Sequence, residues 1–463
     1  MQPILSVDQM RAIDAAASEP VEVLIDRAGA AVARAAIDMM GGAYGRTVNV
    51  IAGKGNNGAD GRVAADRLQR RGVRVRLLDA AALPPVLPEA DLVIDAAYGI
   101  GFRGEWVAPD IGDASVLAVD IPSGLDATTG SAGPSVLAAD RTITFQAHKP
   151  GLLCGRGPEL AGEVVVADIG LDVSSAIMHR VERVDVGAWW PRRQSDAHKW
   201  RGAVRVVAGS ESMPGAAWLA GRAALRAGAG TVSLTTPAMR VMTPPEVIAD
   251  GIAPGSLAAS VMSDIARFGA LLVGPGLGRD DDVLAAIRQL ITEASVPVVV
   301  DGDAIFACAS SVDDAALLPT VRRRPMVLTP HDGEFRTLTG ASPGNDRLGA
   351  VRDAADELGV TILLKGPTTI VAGPISEHEP GETFVVDHGD ERLATPGSGD
   401  VLAGMVAAAL ATGADPTRSA AVAAWLHADA ARLGPREGLI AGDLIDAIPH
   451  ALAACRVDAT VGG

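Results

Sequence analysis

The chain has 463 residues and a formal net charge of −16, and aromatic residues make up 3% of a composition that is 48% hydrophobic. This length predicts about two to four domains, and the negative charge argues against nucleic acid as the main partner. The three cysteines form no C-x-x-C pair, the N-terminus shows no apolar h-region of a signal peptide, and the longest apolar run is too short to span a membrane. We therefore expect a cytoplasmic protein without disulfides or structural zinc.

The first informative stretch is AGKGNNGADG, residues 52–61, which contains a G-x-G-x-x-G pattern. It follows the β-branched run TVNVIA, which predicts a buried strand, and precedes a helical pattern that Gly72 would end. The next predicted strand ends at Asp79, near the place of a ribose-binding acid. This order is typical of a dinucleotide loop, although one such fingerprint is a weak signal.

The polar side chains of this loop fit an ordinary dinucleotide site poorly. Asn56, Asn57 and Asp60 crowd a segment in which a pyrophosphate needs mainly backbone N–H groups. An acid this close to a pyrophosphate repels it unless a cation or a hydroxyl group lies between them. A surface turn rich in glycine and asparagine is the alternative interpretation.

Three more predicted strands of the first half end in polar loops. The first ends at Asp95, the second at Asp120 with Ser123 close behind, and the third is followed by His148 and Lys149. Because open parallel sheets bind ligands at the carboxyl ends of their strands, we expect Asp95, Asp120 and Ser123 to converge with Asn57 on one crevice. Helix caps and Asx turns are the alternative explanation for each residue alone.

The segment VDVGAWWPRRQSDAHKWRG, residues 184–202, shows neither strand nor helix periodicity and holds three of the six tryptophans. We place a domain boundary near residue 190, which gives domains 1–190 and 191–463. Docking between domains would explain the tryptophans as well as a ligand shelf would.

The second half again alternates strands and helices, which predicts an α/β fold with a parallel sheet and helices on both faces. Its sharpest element is TPGSGDVLAGMVAAALATGA, in which Gly397, Ser398 and Gly399 open a long apolar helix. The free N–H groups of such a helix start would bind a transferring phosphoryl group. Asp400 lies at its rim, where it could accept a proton from an attacking hydroxyl group. A helix capped by serine is the alternative.

Several motifs together carry a family resemblance. In the first half, GKGNNGADG, AVDIPSGLD and TFQAHKPG resemble the NAD(P)H-hydrate epimerase domain. In the second half, GAGTVSLTTP, VGPGLG, TPHDGEF, LLKGPTT and TPGSGDVLAGM resemble the ADP/ATP-dependent NAD(P)H-hydrate dehydratase. The resemblance covers nearly the whole chain and implies an N-terminal Rossmann-like three-layer domain followed by a ribokinase-like α/β domain.

For the first half, the resemblance implies that the glycine loop binds a hydrated, damaged nicotinamide nucleotide, NADHX or NADPHX. It implies a potassium ion held by Asn57, Asp95 and Ser123. Asp120 and Lys149 are the candidates for moving protons between the R and S forms at C6. The family's substrate-binding positions match Asn56, Asn57, Gly58, Ala59, Asp60, Gly99, Ile100, Gly101, Phe102, Arg103, Gly104, Glu105 and Asp120.

For the second half, the resemblance implies dehydration of the S form at the expense of ADP, with Asp400 as the base that activates the C6 hydroxyl group. Gly276, His331 and Asp400 match the family's hydrate-binding positions. The adenine-nucleotide positions match Lys365, Gly366, Pro367, Thr368, Thr369 and Gly399. Mg²⁺ on the nucleotide phosphates is expected from the chemistry of phosphoryl transfer.

Other functions are compatible with parts of this pattern. A ribokinase-like small-molecule kinase with a non-catalytic nucleotide-binding N-terminal domain would account for the second half, and a nicotinamide dehydrogenase for the opening fingerprint. The first half could also serve only as a nucleotide-sensing or protein-interaction module. We expect small-molecule substrates, neither nucleic acid nor membrane as a partner, and a homo-oligomer.

Overall fold

The structure is a computed structural model that describes residues 1–104, 106–238, 243–309, 324–376 and 380–461, with side chains as far as residue 456. The chain divides into two compact units, Gln2–Ala176 and Ile177–Gly463. The first is called the N-terminal unit and the second the C-terminal unit. None of the described helices has both the length and the apolar character needed to cross a bilayer.

The N-terminal unit is built on a six-stranded parallel sheet in the order β3-β2-β4-β5-β6-β7. The strands of this unit are β1 (Gln2–Ile4), β2 (Thr47–Ala52), β3 (Arg74–Asp79), β4 (Leu92–Ala96), β5 (Ser115–Val119), β6 (Arg141–Phe145) and β7 (Glu163–Ala167). Its helices are α1 (Val7–Ala15), α2 (Val21–Met39), α3 (Asn56–Arg70), α4 (Pro150–Leu153) and α5 (Gly157–Leu160).

The order of these strands creates a binding crevice. Strand β2 pairs with β3 on one side and with β4 on the other, so the direction of winding reverses between β2 and β4. At such a switch point the loops leaving neighbouring strands diverge and open a crevice at their carboxyl ends. The glycine loop and Asp95 therefore meet at the place where an open α/β sheet binds its ligand.

The C-terminal unit contains a larger, mixed sheet with strand order β8-β17-β16-β15-β14-β13-β12-β9-β10-β11. Its strands are β8 (Met178–Arg180), β9 (Val204–Val207), β10 (Val232–Thr236), β11 (Ile248–Gly251), β12 (Ala270–Val273), β13 (Val298–Val300), β14 (Met326–Leu328), β15 (Thr361–Leu364), β16 (Thr369–Ala372) and β17 (Thr383–Val386). The strands from β11 to β15 are parallel, whereas β16 runs antiparallel to both β15 and β17. The segment after Lys365 is thus an antiparallel hairpin that follows the parallel strands of the sheet.

Helices cover the sheet of the C-terminal unit, and small residues let them approach one another closely. They are α6 (Arg183–Trp189), α7 (Pro214–Arg226), α8 (Pro254–Met262), α9 (Asp281–Glu293), α10 (Asp303–Cys308), α11 (Asp332–Thr339), α12 (Arg347–Leu358), α13 (Ser398–Leu410), α14 (Pro416–Leu433) and α15 (Ala441–Val461). In α13 every residue from Val401 to Leu410 is buried. A Cβ atom on Gly404 would lie 2.4 Å from the Ala220 carbonyl oxygen of α7, so a core poor in aromatic residues is closed by short distances between helices.

The division between the units lies earlier than the sequence-based boundary near residue 190. Strand β8 pairs with β17, and α6 contacts α14 and α15, so residues 177–190 belong to the C-terminal unit. The Trp189 ring packs edge-on against Phe384, with 5.4 Å between the ring centroids, and Trp190 is buried in the same core. These two tryptophans serve the packing of the C-terminal unit, which periodicity could not show because α6 spans only seven residues.

Candidate active sites

A cavity of about 740 Å³ opens at the switch point of the N-terminal unit. Ten of the predicted residues line it, and these are Asn56, Asn57, Asp60, Gly99, Ile100, Gly101, Phe102, Arg103, Asp120 and Lys149. Helices α1 and α2 and the segment between them supply further lining residues, among them Asp14 of α1 and Glu19 of that segment. Gly58, Ala59 and Gly104 are absent from the lining, and Glu105 lies outside the described residues.

The three glycines of the G-x-G-x-x-G pattern, Gly53, Gly55 and Gly58, have different roles. A Cβ atom on Gly53 would lie 1.9 Å from the Ala97 carbonyl oxygen, and one on Gly58 would lie 1.9 Å from the Gly53 carbonyl oxygen. These two glycines let β2, β4 and α3 meet. Gly55 is the N-cap residue of α3 and has open space beside it, so its backbone is accessible from the cavity. Only Gly55 therefore has the freedom to approach a ligand.

Asp95 and Ser123 form a buried pair at the base of this loop. The Ser123 hydroxyl group donates to Asp95 Oδ1 at 2.6 Å, and the Ser123 N–H donates to Asp95 Oδ2 at 2.8 Å. Burial raises the pKa of Asp95, against the effect of these hydrogen bonds. The Tyr98 N–H also donates to the Ser123 hydroxyl oxygen, at 2.9 Å. The segment 95–99 is thereby fixed along the cavity wall.

Asn57 lies against this segment, because a Cβ atom on Gly99 would be 3.3 Å from the Asn57 Cβ atom. Both amide atoms of Asn57 are buried, and neither has a hydrogen-bond partner among the described residues. Buried polar groups without partners are rare because they cost about 1–3 kcal/mol each. The Asp95 carboxyl group and the Ser123 hydroxyl group anchor the segment that Asn57 contacts. With the unpaired amide oxygen of Asn57 they offer the oxygen donors that a hard cation prefers.

Asp120 and Lys149 form a buried ion pair. The Lys149 ammonium group lies 2.6 Å from Asp120 Oδ1 and is 1% exposed. It also donates to the Thr144 hydroxyl oxygen at 2.8 Å and to the Phe145 carbonyl oxygen at 3.0 Å. Asp120 has a φ of 65°, a left-handed conformation that is uncommon for residues other than glycine and often found at functional sites. The two candidates for moving protons are thus in direct contact.

The cavity also changes the titration of Asp60, which extends from the first turns of α3. Burial, followed by the negative charges of Asp120 and Asp14, raises the pKa of Asp60 to about 8. Burial likewise raises the pKa of Asp14, with the Lys149 charge acting in the opposite direction. Sequence reasoning placed Asp60 among the binding residues and missed Asp14 altogether, because α1 has no motif that connects it to the glycine loop.

The second candidate site lies at the start of α13 in the C-terminal unit. Gly397 is the N-cap residue with a φ of 86°, which favours glycine. The backbone N–H groups of Gly399 and Asp400 have no backbone acceptor within the described residues. These donors and the helix dipole create the positive potential that an anion needs.

Charged side chains surround this helix start. Lys365 Nζ lies 2.9 Å from Asp301 Oδ1 and 3.6 Å from Glu334 Oε2. A Cβ atom on Gly399 would be 3.4 Å from Lys365 Nζ, so the lysine and the glycine of the predicted nucleotide site are neighbours. Burial opposes the charge of Lys365, but the carboxylates of Asp301 and Glu334 outweigh it and raise the pKa of Lys365.

The charges of Asp301, Glu334 and Lys365 act on Asp400. Burial, followed by the negative charge of Asp301, raises the pKa of Asp400 to about 7. A carboxyl group with such a pKa changes its protonation state near neutral pH, as a general base in phosphoryl transfer must. Neither Asp301 nor Glu334 is among the residues predicted for this site. The Glu334 side chain also accepts a hydrogen bond from the His331 N–H at 2.9 Å.

The remaining predicted residues of the C-terminal unit are spread around this centre. His331 caps α11 and its Nε2 atom lies 3.5 Å from Glu334 Oε1. Gly276 has a φ of 61° and packs against Met213 and Ala216 at the start of α7. Its loop adjoins the Asp301 loop, because a Cβ atom on Gly274 would meet the Asp301 carbonyl oxygen at 1.8 Å.

The residues after Lys365 that are predicted to bind the adenine nucleotide form the turn between β15 and β16. Gly366 and Pro367 are exposed, Thr368 is buried, and Thr369 begins β16. A Cβ atom on Gly366 would be 2.8 Å from an Arg347 guanidinium nitrogen. This turn therefore has a cation beside its exposed backbone.

Comparison with known proteins identifies related sequences for both units. The family model described as NAD(P)H-hydrate dehydratase matches residues 204–451. The model described as YjeF-related protein N-terminus matches residues 21–85 and 78–151.

Individual relatives and one solved structure extend these matches over nearly the whole chain. The chain is 33% identical over 520 residues to the bifunctional NAD(P)H-hydrate repair enzyme Nnr of Moorella thermoacetica, covering 97% of this chain and 96% of the relative. It is 38% identical to the protein of the same description from Mycobacterium tuberculosis, covering 91% and 92%. A crystal structure of the ADP/ATP-dependent NAD(P)H-hydrate dehydratase from Bacillus subtilis, co-crystallised with ATP and Mg²⁺, matches with a TM-score of 0.50 and 27% identity, over 59% of this chain and 97% of that chain.

Proposed function

Since the chain belongs to the family of bifunctional NAD(P)H-hydrate repair enzymes, we propose that its two units perform successive steps on one damaged cofactor. The N-terminal unit interconverts the R and S forms of NADHX and NADPHX. The C-terminal unit dehydrates the S form to NADH or NADPH and consumes ADP, with AMP and phosphate as products. The expected α/β fold, with a ribokinase-like second domain, is confirmed.

The observation that carries the dehydratase proposal is the position of Asp400 beside free N–H groups and Lys365. In this proposal the C6 hydroxyl oxygen attacks the terminal phosphorus of ADP while Asp400 takes the hydroxyl proton. The bond between that phosphorus and the bridging oxygen breaks, and AMP leaves. The helix start and Lys365 stabilise the charge on the transferring phosphoryl oxygens.

The second half of the reaction is an elimination. The lone pair of the ring nitrogen expels phosphate from C6, and loss of a proton from C5 places a double bond between C5 and C6. Phosphorylation has converted hydroxide, a poor leaving group, into phosphate, a good one. A kinase-like fold is therefore suited to a dehydration.

Mg²⁺ is proposed to accompany the nucleotide, since the related Bacillus subtilis dehydratase was crystallised with ATP and Mg²⁺. Asp301 and Glu334 offer carboxylate oxygens, the ligand type that Mg²⁺ prefers, beside Lys365. A bound Mg²⁺ would neutralise part of the phosphate charge. ADP rather than ATP as the donor stays a prediction, as do the homo-oligomer and the cytoplasmic location.

Potassium is proposed for the N-terminal unit, held by Asn57, Asp95 and Ser123. Two observations support the fit: the buried amide oxygen of Asn57 has no partner among the described residues, and the Asp95 carboxylate is buried with hydrogen bonds but no cationic side chain beside it. Such a carboxylate is costly to bury without a counterion. A bound cation would supply the missing positive charge and order segment 95–99 along the cavity.

One experiment tests both activities. A mixture of the R and S hydrates of NADH is incubated with the protein and ADP or ATP, and the absorbance of NADH at about 340 nm is followed. Recovery of the whole mixture requires both activities, whereas recovery limited to the S fraction means that the N-terminal unit does not epimerise. A persistent phosphorylated product without NADH would instead favour a small-molecule kinase.

A further inference from the structure

Lys149 has no proton available for a ligand. An ammonium group has three N–H donors, and those of Lys149 point to Asp120, Thr144 and the Phe145 carbonyl oxygen at 2.6, 2.8 and 3.0 Å. With 1% of its side chain exposed, this lysine is enclosed by its acceptors. Its geometry suits holding the Asp120 side chain in place through an ion pair, rather than donating a proton to the nicotinamide ring.

Asp60 differs from Lys149 in each of these respects. It lines the same cavity as Asp120 and is 6% exposed. No hydrogen bond or ion pair connects its carboxyl group to another described residue. A buried carboxyl group without a partner in a ligand cavity is either neutral or awaiting a partner from the ligand.

The charges around the cavity favour the neutral form. Acidic residues approach Asp60 from two other elements, Asp14 from α1 and Asp120 from the loop after β5. The further charged groups that line the cavity are Arg11, Glu19, Lys54, Arg103 and Lys149. Arg62 of the same helix is directed elsewhere, since it donates to the Gly53 carbonyl oxygen at 2.7 Å.

We propose that Asp60 is a catalytic residue of the N-terminal unit, the general acid that works with Asp120 as the general base in epimerisation, with Lys149 as a positioning residue for Asp120. This inference rests on the proposed epimerase function and assigns its proton transfers. Two carboxyl groups whose surroundings separate their protonation states are a recurring arrangement for acid and base catalysis.

The proton transfers balance as follows for conversion of one epimer into the other. Asp60 gives its proton to the C6 hydroxyl group, which leaves as water while the ring-nitrogen lone pair forms a double bond to C6. Water then adds to the opposite face of C6, and Asp120 takes the proton that this water loses. Transfer of that proton back to Asp60 through solvent restores both carboxyl groups, so no oxidant, reductant or further reactant is needed.

The protonation of Asp60 gives the reaction a predicted pH dependence. Because its pKa is raised to about 8, Asp60 carries a proton at neutral pH and loses it as the pH rises through that value. We therefore expect the rate of epimerisation by the wild-type chain to fall as the pH rises through about 8.

The test compares Asp60→Asn and Asp60→Glu with the control Asp66→Asn. Asp66 lies on the same helix but is exposed and paired with Arg70, so its replacement makes the same chemical substitution away from the cavity. Full-length protein is given one purified epimer of the NADH hydrate without nucleotide, and the other epimer is quantified by chromatography across a pH series. Binding of the hydrate is measured by calorimetry, and folding by circular dichroism.

We expect Asp60→Asn to lower the rate by about 10²–10⁴-fold, the usual effect of removing a general acid, to retain hydrate binding and to lose the alkaline fall. Asp60→Glu should retain the alkaline fall, and Asp66→Asn should match the wild type. A near-wild-type rate or an unchanged alkaline fall in Asp60→Asn would overturn the proposal, and so would parallel loss of binding and rate.

If Asp60→Asn does not fold, the pH profile of Asp60→Glu decides, because an acid at this position must still produce an alkaline fall. Failure of the wild-type chain to epimerise at all would be a different result, since it would refute the proposed epimerase function itself.

Discussion

Asn57 destabilises the folded state, because folding buries both of its amide atoms without a hydrogen-bond partner among the described residues. The free-energy cost of burying these unpaired atoms is offset only if an ion or ligand binds to them. A ligand that binds the folded state alone stabilises it in proportion to the logarithm of its concentration above Kd. The ligand of Asn57 should therefore be detectable as an increase in the stability of the folded protein.

Asn57→Ala should abolish the stabilisation of the protein by potassium. In potassium-free buffer we expect the variant to be at least as stable as the wild type, because no hydrogen bond to the protein is lost and about 1–3 kcal/mol of unsatisfied burial is relieved. The measurement is Tm by calorimetry in KCl and in tetramethylammonium chloride. Asn56→Ala, at an exposed neighbour, should keep the potassium effect; persistence of that effect in Asn57→Ala would remove Asn57 from the site.

Asp400→Asn should lower turnover of the S hydrate by about 10²–10⁴-fold, because the amide cannot accept the hydroxyl proton. Nucleotide affinity should stay similar or rise, since a negative charge near the phosphates is removed. In the wild type, turnover should increase as the pH rises through about 7, where Asp400 loses its proton and becomes a base. This increase should be absent from the variant.

Turnover with saturating ADP and calorimetric nucleotide binding check this prediction. Asp282→Asn is the matched control, because Asp282 is also an acid in the first turn of a helix but is exposed. Near-wild-type turnover of Asp400→Asn would disprove the base assignment. Loss of nucleotide binding together with turnover would make Asp400 a structural or metal-holding residue.

At the scale of elements, the junction of β2, β4 and α3 depends on glycines that differ in their surroundings. Gly58→Ala places a methyl group 1.9 Å from the Gly53 carbonyl oxygen, so α3 must move away from the sheet. We expect a loss of at least about 1–3 kcal/mol, the usual cost of overpacking. Gly55→Ala meets open space, so its effect on stability should be below about 1 kcal/mol, the scale of an N-cap change.

Calorimetry and hydrate binding distinguish these two glycine variants. Gly55→Ala should weaken hydrate binding with little change in Tm, because its new methyl group faces the cavity. Gly58→Ala should instead lower Tm. Equal effects of both variants on Tm would show that the loop does not pack as described.

The elements show where sequence patterns were sufficient. Short apolar runs such as β2 and β4, each followed by a glycine-containing loop, predicted the strands and the edge of the sheet at which the candidate sites lie. Periodicity did not show that α3 begins at Asn56, which places the polar half of the glycine loop in its first turn. Nor did it show the antiparallel hairpin after Lys365, because strand direction depends on partners distant in sequence.

The raised pKa values of the site carboxyl groups could not be predicted from the sequence, for a related reason. The motif identified Asp60 and Asp400, but their raised pKa values come from burial and from Asp14, Asp120 and Asp301, which approach from other elements. A linear pattern records the residue and not the neighbours that tertiary folding supplies.

At the scale of the whole molecule, each unit has its own core and its own candidate site. The two activities should therefore be separable. Asp95→Ala should slow epimerisation because it removes a cation ligand, while turnover of the S hydrate is unchanged. Asp400→Asn should have the converse effect.

Mixing the two variants tests this independence directly. Neither variant alone should convert the whole mixture of hydrates rapidly, whereas the mixed chains should do so because the released S epimer diffuses between them. The assay is the recovery of NADH absorbance. If Asp95→Ala also abolished turnover of the pure S hydrate, the units would not act independently.

The distribution of aromatic side chains gives the N-terminal unit a spectroscopic reporter. Trp106 is the only tryptophan between residues 2 and 176, and its ring lies edge-on to Tyr98, with 5.3 Å between centroids. Tyr98 lines the cavity. With fluorine-labelled tryptophan, the six side chains should give one ¹⁹F resonance from this unit, and its chemical shift should follow hydrate entering the cavity while ADP binding to the other unit leaves it unmoved.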